Sequence, residues 1–84
     1  MRTEVFDGAG VKVVRDGSTY LIRYDAGAHQ VEIREDEITA EDAAMIASDP
    51  STVDVVLLRL QGQLQAAGRD PYKSNLSGPA ARQL

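Results

Sequence analysis

Val11-Lys12-Val13-Val14-Arg15-Asp16-Gly17-Ser18-Thr19-Tyr20-Leu21-Ile22-Arg23-Tyr24-Asp25 is the stretch that decides the fold. Two runs of β-favouring residues flank Asp16-Gly17. That dipeptide is a strong hairpin signal, because a type I′ turn needs positive φ at both central residues. A two-residue loop there sets Arg15 opposite Ser18, Val13 opposite Tyr20 and Val11 opposite Ile22. Val11, Val13, Tyr20 and Ile22 then share one side with Tyr24, the predicted core face. Lys12, Thr19, Leu21 and Arg23 take the other side with Val14. Side chains alternate along a strand, so a slip of one residue would exchange the faces.

Upstream, Asp7-Gly8-Ala9-Gly10 is turn chemistry, and Met1 to Phe6 alternates loosely with Val5 as the inward residue. This segment is a candidate fourth, edge strand. Downstream, Asp25-Ala26-Gly27-Ala28-His29 is a second turn. Gln30 to Arg34 then alternates cleanly, with Val31 and Ile33 inward and Gln30, Glu32 and Arg34 outward.

The period then changes. Thr39-Ala40-Glu41-Asp42 resembles a capping box and opens a short helix that Asp49-Pro50 ends. Ser51-Thr52-Val53-Asp54 repeats the N-cap signature. From Val53 to Ala67, apolar residues at 53, 56, 57, 60, 64 and 67 form one stripe. Gly68 stands where a C-cap belongs. The reading is α+β: an antiparallel meander of three or four strands followed by two helices on one face. Residues 1–70 make a single domain, and 71–84 a tail expected to be flexible.

The chain has 84 residues, with 13 acids against 9 bases, a net charge of -4, one His and no Cys or Trp. Without Cys there is no disulfide framework, no thiol nucleophile and no Cys-ligated zinc. No apolar run reaches the roughly 20 residues of a membrane span. The start lacks a signal peptide's basic and apolar segments, so a cytoplasmic location is expected. The Met1 start favours a natural small protein over a fragment. The acidic balance argues against nucleic acid as a partner. A domain this small buries only roughly 60% of its unfolded-chain surface, so a partner or a second copy would add stability.

Six acids fall between residues 32 and 42: Glu32, Glu35, Asp36, Glu37, Glu41 and Asp42, opposed only by Arg34. Like charges so gathered can steer a basic protein partner, or they can be a solvated turn leading into a helix N-terminus. The spacing of a calcium loop is missing, so no metal is expected. His29, alone in its turn, belongs to no triad pattern. Val55 and Leu58 lie on the side of the second helix away from its stripe. They need cover from the first helix, the tail, a partner or a second copy. Tyr20 and Tyr24 read as core residues with a wet hydroxyl. Gly8-Ala9-Gly10 is too short for a phosphate loop. No nucleophile motif, paired carboxylates or cofactor fingerprint is present, so neither an enzyme nor a cofactor is expected.

Residues 13–24, Val31-Glu32-Ile33, and Val56-Leu57-Leu58-Arg59-Leu60 with Leu64 and Gly68 carry a resemblance. The chain resembles small polymorphic-toxin immunity proteins, the cytoplasmic antidotes of bacterial competition systems. Those families begin with a meander containing an Arg-Tyr strand and close on a helix ending in Gly. The resemblance spans roughly residues 11 to 70 and rests on core pattern and turn chemistry. It implies a non-enzymatic protein that binds a cognate toxin, often a nuclease. It carries over no particular contact residues, because these differ between pairs. Carboxylates would suit a basic toxin domain, and a small homodimeric adaptor is the alternative.

Overall fold

Tight turns set the sheet. The structure, a computed structural model, describes residues 1–27 and 29–84. β1 (Arg2–Gly8), β2 (Val11–Asp16), β3 (Thr19–Asp25) and β4 (Ile33–Ile38) form one antiparallel sheet in that order. α1 (Ala40–Ser48) and α2 (Val53–Ala66) follow. The α+β meander with two C-terminal helices is therefore as expected. Val11, Val13, Ile22 and Tyr24 of the sheet meet Ala43 and Ile46 of α1 and Val53, Val56 and Leu60 of α2 in one buried cluster.

The hairpin register differs from the expected one. Asp16 pairs with Thr19, Arg15 with Tyr20, Val13 with Ile22 and Val11 with Tyr24. The loop is Gly17-Ser18, one residue later than predicted, and the pairing moves by two. A shift of two leaves every side chain on its own face. The cause lies in the backbone: Gly17 has φ 64°, while Asp16 and Ser18 stay at negative φ. Glycine at the first central position suits a type II′ turn, which spares Asp16 the left-handed conformation.

β1 is the edge strand, but Val5 does not point inward. Pairing steps from Glu4↔Val14 to Phe6↔Val13, so Val5 is a bulge. The extra residue leaves Val5 exposed and packs Phe6 against the core instead.

β4 also departs from expectation. The Asp25 carboxylate accepts from the N–H groups of Gly27 and Glu32 at 2.9 and 3.0 Å, and Ala26 N–H donates to the Glu32 carbonyl at 2.9 Å. Residues up to Glu32 are thereby drawn into the connection, and Val31 is exposed. Part of the turn predicted at 25–29 falls on Ala28, outside the described residues. β4 begins at Ile33, with Tyr24↔Arg34, Ile22↔Asp36 and Tyr20↔Ile38. Arg34, Asp36 and Ile38 therefore share the core side of the sheet, and Ile33 lies on the other. The predicted inward and outward sets are exchanged. Ile38, next to α1, has to be inward for the helix to start over the core.

The helix ends follow from local chemistry. Thr39 Oγ1 accepts from Asp42 N–H at 3.0 Å, as a cap should. The second predicted cap moves: Thr52 makes no side-chain cap bond. Asp49 caps a 3-10 turn over Pro50–Thr52 instead, accepting from Ser51 N–H at 3.2 Å, and that turn runs straight into α2. At the far end Gly68 has φ 76°, Gly68 N–H donates to Gln65 and Arg69 N–H to Leu64. These bonds form a Schellman cap.

Beyond α2, the segment expected to be a free tail lies against β4. Ser74 Oγ donates to the Ile33 carbonyl, and Asn75 makes a paired contact with the Glu35 backbone. A last 3-10 turn, Gly78–Arg82, packs on the same strand.

The β1–β2 turn holds a correctable strain. Ala9 has φ 50° and Gly10 φ 79°. A left-handed alanine costs roughly 1–2 kcal/mol, and Asn-Gly is the favoured pair for such a turn. Ala9→Asn is expected to raise stability by about 0.5–1 kcal/mol in urea unfolding. Unchanged or lowered stability would refute the turn assignment.

Candidate functional site

Charge on the core side of a sheet needs a partner. Arg34 is only 4% exposed. Its Nε and Nη2 donate to the two carboxylate oxygens of Asp36 at 3.0 and 2.9 Å, a bidentate pair within one strand. Its Nη1 donates to the Lys73 carbonyl at 2.8 Å and lies 3.5 Å from that of Asp70. The Tyr24 hydroxyl completes the group, donating to Asp36 at 2.7 Å. The hydrogen bond to Asp36 outweighs burial and holds the Arg34 pKa above its ordinary value. Burial first, and then the bond to Asp36, push the Tyr24 phenol well above the usual tyrosine range.

The acidic run is divided by this arrangement. Glu35, on the outer face of β4, receives both terminal nitrogens of Arg2 at 2.9 and 2.8 Å. Arg23 Nε stands 3.2 Å from the same carboxylate, out of line for a hydrogen bond but within ion-pair distance. Asp42, in the first turn of α1, is met by Arg59 of α2 at 2.5 Å. Glu32 accepts weakly from Ser74 N–H at 3.4 Å. Glu37 and Glu41 are exposed and have no ion-pair partner among the described residues. Three of the six acids are thus structural ties to arginines, and the six do not share one face.

What they do border is a groove. Glu37, Ile38, Thr39, Asp42, Arg59 and Gln63 line a hollow of about 350 Å³ between β4 and the helices. It continues along α2 past Leu64 and Ala67 to Arg69. The adjoining edge of β4 is partly closed. Ser74 takes the Ile33 carbonyl, and Asn75 takes both the N–H and the C=O of Glu35, at 2.9 and 2.7 Å. Outward-pointing backbone groups alternate along an antiparallel strand. The next outward pair is that of Glu37, at the groove, and no side chain caps it among the described residues.

His29 is exposed in the β3–β4 connection, and it makes no hydrogen bond among the described residues. Val55 and Leu58 are 61% and 70% exposed, so neither α1 nor the C-terminal segment covers them. Among the described residues no group of three or more His, Asp or Glu could hold a metal ion, and no helix is long and apolar enough to cross a membrane. Sequence reasoning missed Arg34, Arg59, Ser74 and Asn75. Their partners are remote in sequence, and no local spacing announces them. Compared with family models, with curated proteins and with solved structures, the chain has no match.

Two outcomes test the buried group. Removing one member of a buried ion pair typically costs about 3–5 kcal/mol. Arg34→Ala should lose about that much in urea unfolding and make residues 70–76 more open to protease. A loss under about 1 kcal/mol would place Arg34 among ordinary surface charges. Tyr24 keeps its proton in the folded chain at pH values where the unfolded chain releases it. Its contribution is therefore full below about pH 10 and declines above, by up to about 1.4 kcal/mol per pH unit. Tyr24→Phe should flatten that alkaline decline. An identical pH profile in the variant would exclude Tyr24 as its source.

Proposed function

We propose that this chain is a non-enzymatic protein-binding domain that engages a basic partner where β4, the start of α1 and α2 meet. The finer form of the proposal is an immunity protein that neutralises a cognate toxin domain. One observation carries it. Glu35, Asp36 and Asp42 are neutralised by arginines, which leaves Glu32, Glu37 and Glu41 without an ion-pair partner among the described residues; of these Glu37 lines the groove, and Glu41 directly precedes its Asp42. Beside them the groove offers apolar surface from Ile38, Leu60 and Leu64, and β4 offers its open edge at Glu37. A cationic side chain on a partner loop would meet charge, apolar contact and backbone groups in one place. Placing carboxylates at an exposed rim speeds encounter and selects against acidic partners.

The groove supports binding better than catalysis. Its hydroxyl, on Thr39, is engaged with the Asp42 N–H, and its guanidinium, on Arg59, with the Asp42 carboxylate.

The test is co-expression with the reading frame that neighbours the gene. The neighbour alone should arrest growth, and this chain should rescue it. With the purified pair, Glu37→Lys combined with Glu41→Lys should slow association about tenfold at low salt and weaken its salt dependence. Glu4→Lys, on the far edge strand, is the control and should change neither. A harmless neighbour that does not bind would remove the antidote reading. Equal association rates for the groove variant and the control would remove the groove end from the mechanism.

A further inference from the structure

The outer face of α2 carries a pattern that neither the core nor the acidic groove uses. Val55 and Leu58 are exposed there, three residues apart. At about 100° per residue, Gly62 falls between them on the helix surface, opposite the buried stripe of Val53, Val56 and Leu60. A Cβ at Gly62 would meet nothing within 4 Å. A glycine inside a helix costs roughly 1 kcal/mol relative to alanine, and nothing within the chain accounts for this one. In heptad terms Val55 and Leu58 stand at a and d, and Asp54 and Arg59 at the flanking g and e positions. Asp54 is exposed and has no ion-pair partner among the described residues. Arg59 holds Asp42 through one terminal nitrogen, and its side chain is 48% exposed.

We infer that this face pairs with the same face of a second copy of the chain, α2 against α2 and parallel, with Asp54 of each copy opposite Arg59 of the other. The charges select both the occupant and the direction. In a parallel pair, g of one helix faces the e five residues further on in its partner. Asp54 and Arg59 are five residues apart, so the two-fold axis makes the contact twice. In an antiparallel pair, like flanks face each other, Asp54 side to Asp54 side, and the contact is lost. A β-branched residue at a with leucine at d also favours two parallel strands. At the next a position Gly62 lets the helices approach closely.

Other surfaces suit a second copy less well. The β1 edge is bent by its bulge at Val5, which disfavours strand pairing. The β4 edge is partly capped by Ser74 and Asn75. The stripe lies on the side of α2 away from the sheet, so pairing there keeps the two sheets apart. A helix of 14 residues buries less than the roughly 1,200 Å² of a standard interface. The association is therefore weak, with dimer expected from about 0.1 mM upward.

Sedimentation equilibrium between about 0.01 and 2 mM at low salt tests this, with circular dichroism to verify that each variant folds. Wild type should show a reversible dimer, and Leu58→Glu should weaken it more than tenfold. Asp54→Arg and Arg59→Asp should each weaken self-association about fivefold. An equimolar mixture of those two variants should associate more tightly than either alone, because each then supplies the charge that the other lacks. Oxidised Leu58→Cys and Gly62→Cys should each give a covalent dimer, since a parallel pair brings both positions to their counterparts. A wild type that is monomeric throughout overturns the inference. So does a dimer indifferent to Leu58→Glu, or a mixture no tighter than its components.

Discussion

A guanidinium on the core side of a sheet has to be neutralised and has to fill its donors, and Arg34 satisfies both demands with groups from two parts of the chain. Taking such an ion out of water costs several kcal/mol, and only good geometry repays it. Asp36 supplies the charge and two acceptors. The remaining acceptor is a backbone carbonyl beyond α2, that of Lys73. The C-terminal segment is therefore held where it is partly because Arg34 needs it. Once there, it brings Ser74 and Asn75 to the outer edge of β4. An open strand edge invites pairing with other chains, and side chains capping two of its positions remove part of that hazard.

The same demand governs the distribution of charge. A run of acids at one strand end looks like a single negative surface. Folding instead brings Arg2 and Arg23 across the sheet to Glu35, and Arg59 from α2 to Asp42. These contacts link β1 to β4 and α1 to α2, elements that share few other polar contacts. Glu32, Glu37 and Glu41 are left without an ion-pair partner among the described residues, and in the proposed binding mode Glu37 and Glu41 are what a partner would recognise. The outer face of α2 is a different kind of surface, apolar in the middle with opposite charges on its two flanks. In the proposed modes of binding, one end of the molecule would meet an unlike partner and one face a like one.

Much of the fold was legible in the residues. The order of elements, the faces of β2 and β3, the Thr39 cap and the Gly68 stop each depend on neighbours within a few positions. The candidate site was less legible. The acids were visible as a run, but which of them would be consumed depended on arginines up to 33 residues away. Val55 and Leu58 were visible as misplaced apolar residues, and only the packing showed that nothing in the chain covers them.

The sequence by itself determined what local stereochemistry controls: turn positions to within a residue, helix ends, and the alternation of the central hairpin. It did so because glycine, proline and short polar side chains act on the backbone beside them. The register of that hairpin was set by the conformation its turn adopts, and only the tertiary structure decided the face that β4 presents and the pairing of the acids. A shift of two in register preserves every face, so the apolar pattern could not tell the two registers apart. The face of β4 turned on whether a buried Arg-Asp pair could be satisfied, and the acceptor that completes it lies 39 residues further along the chain.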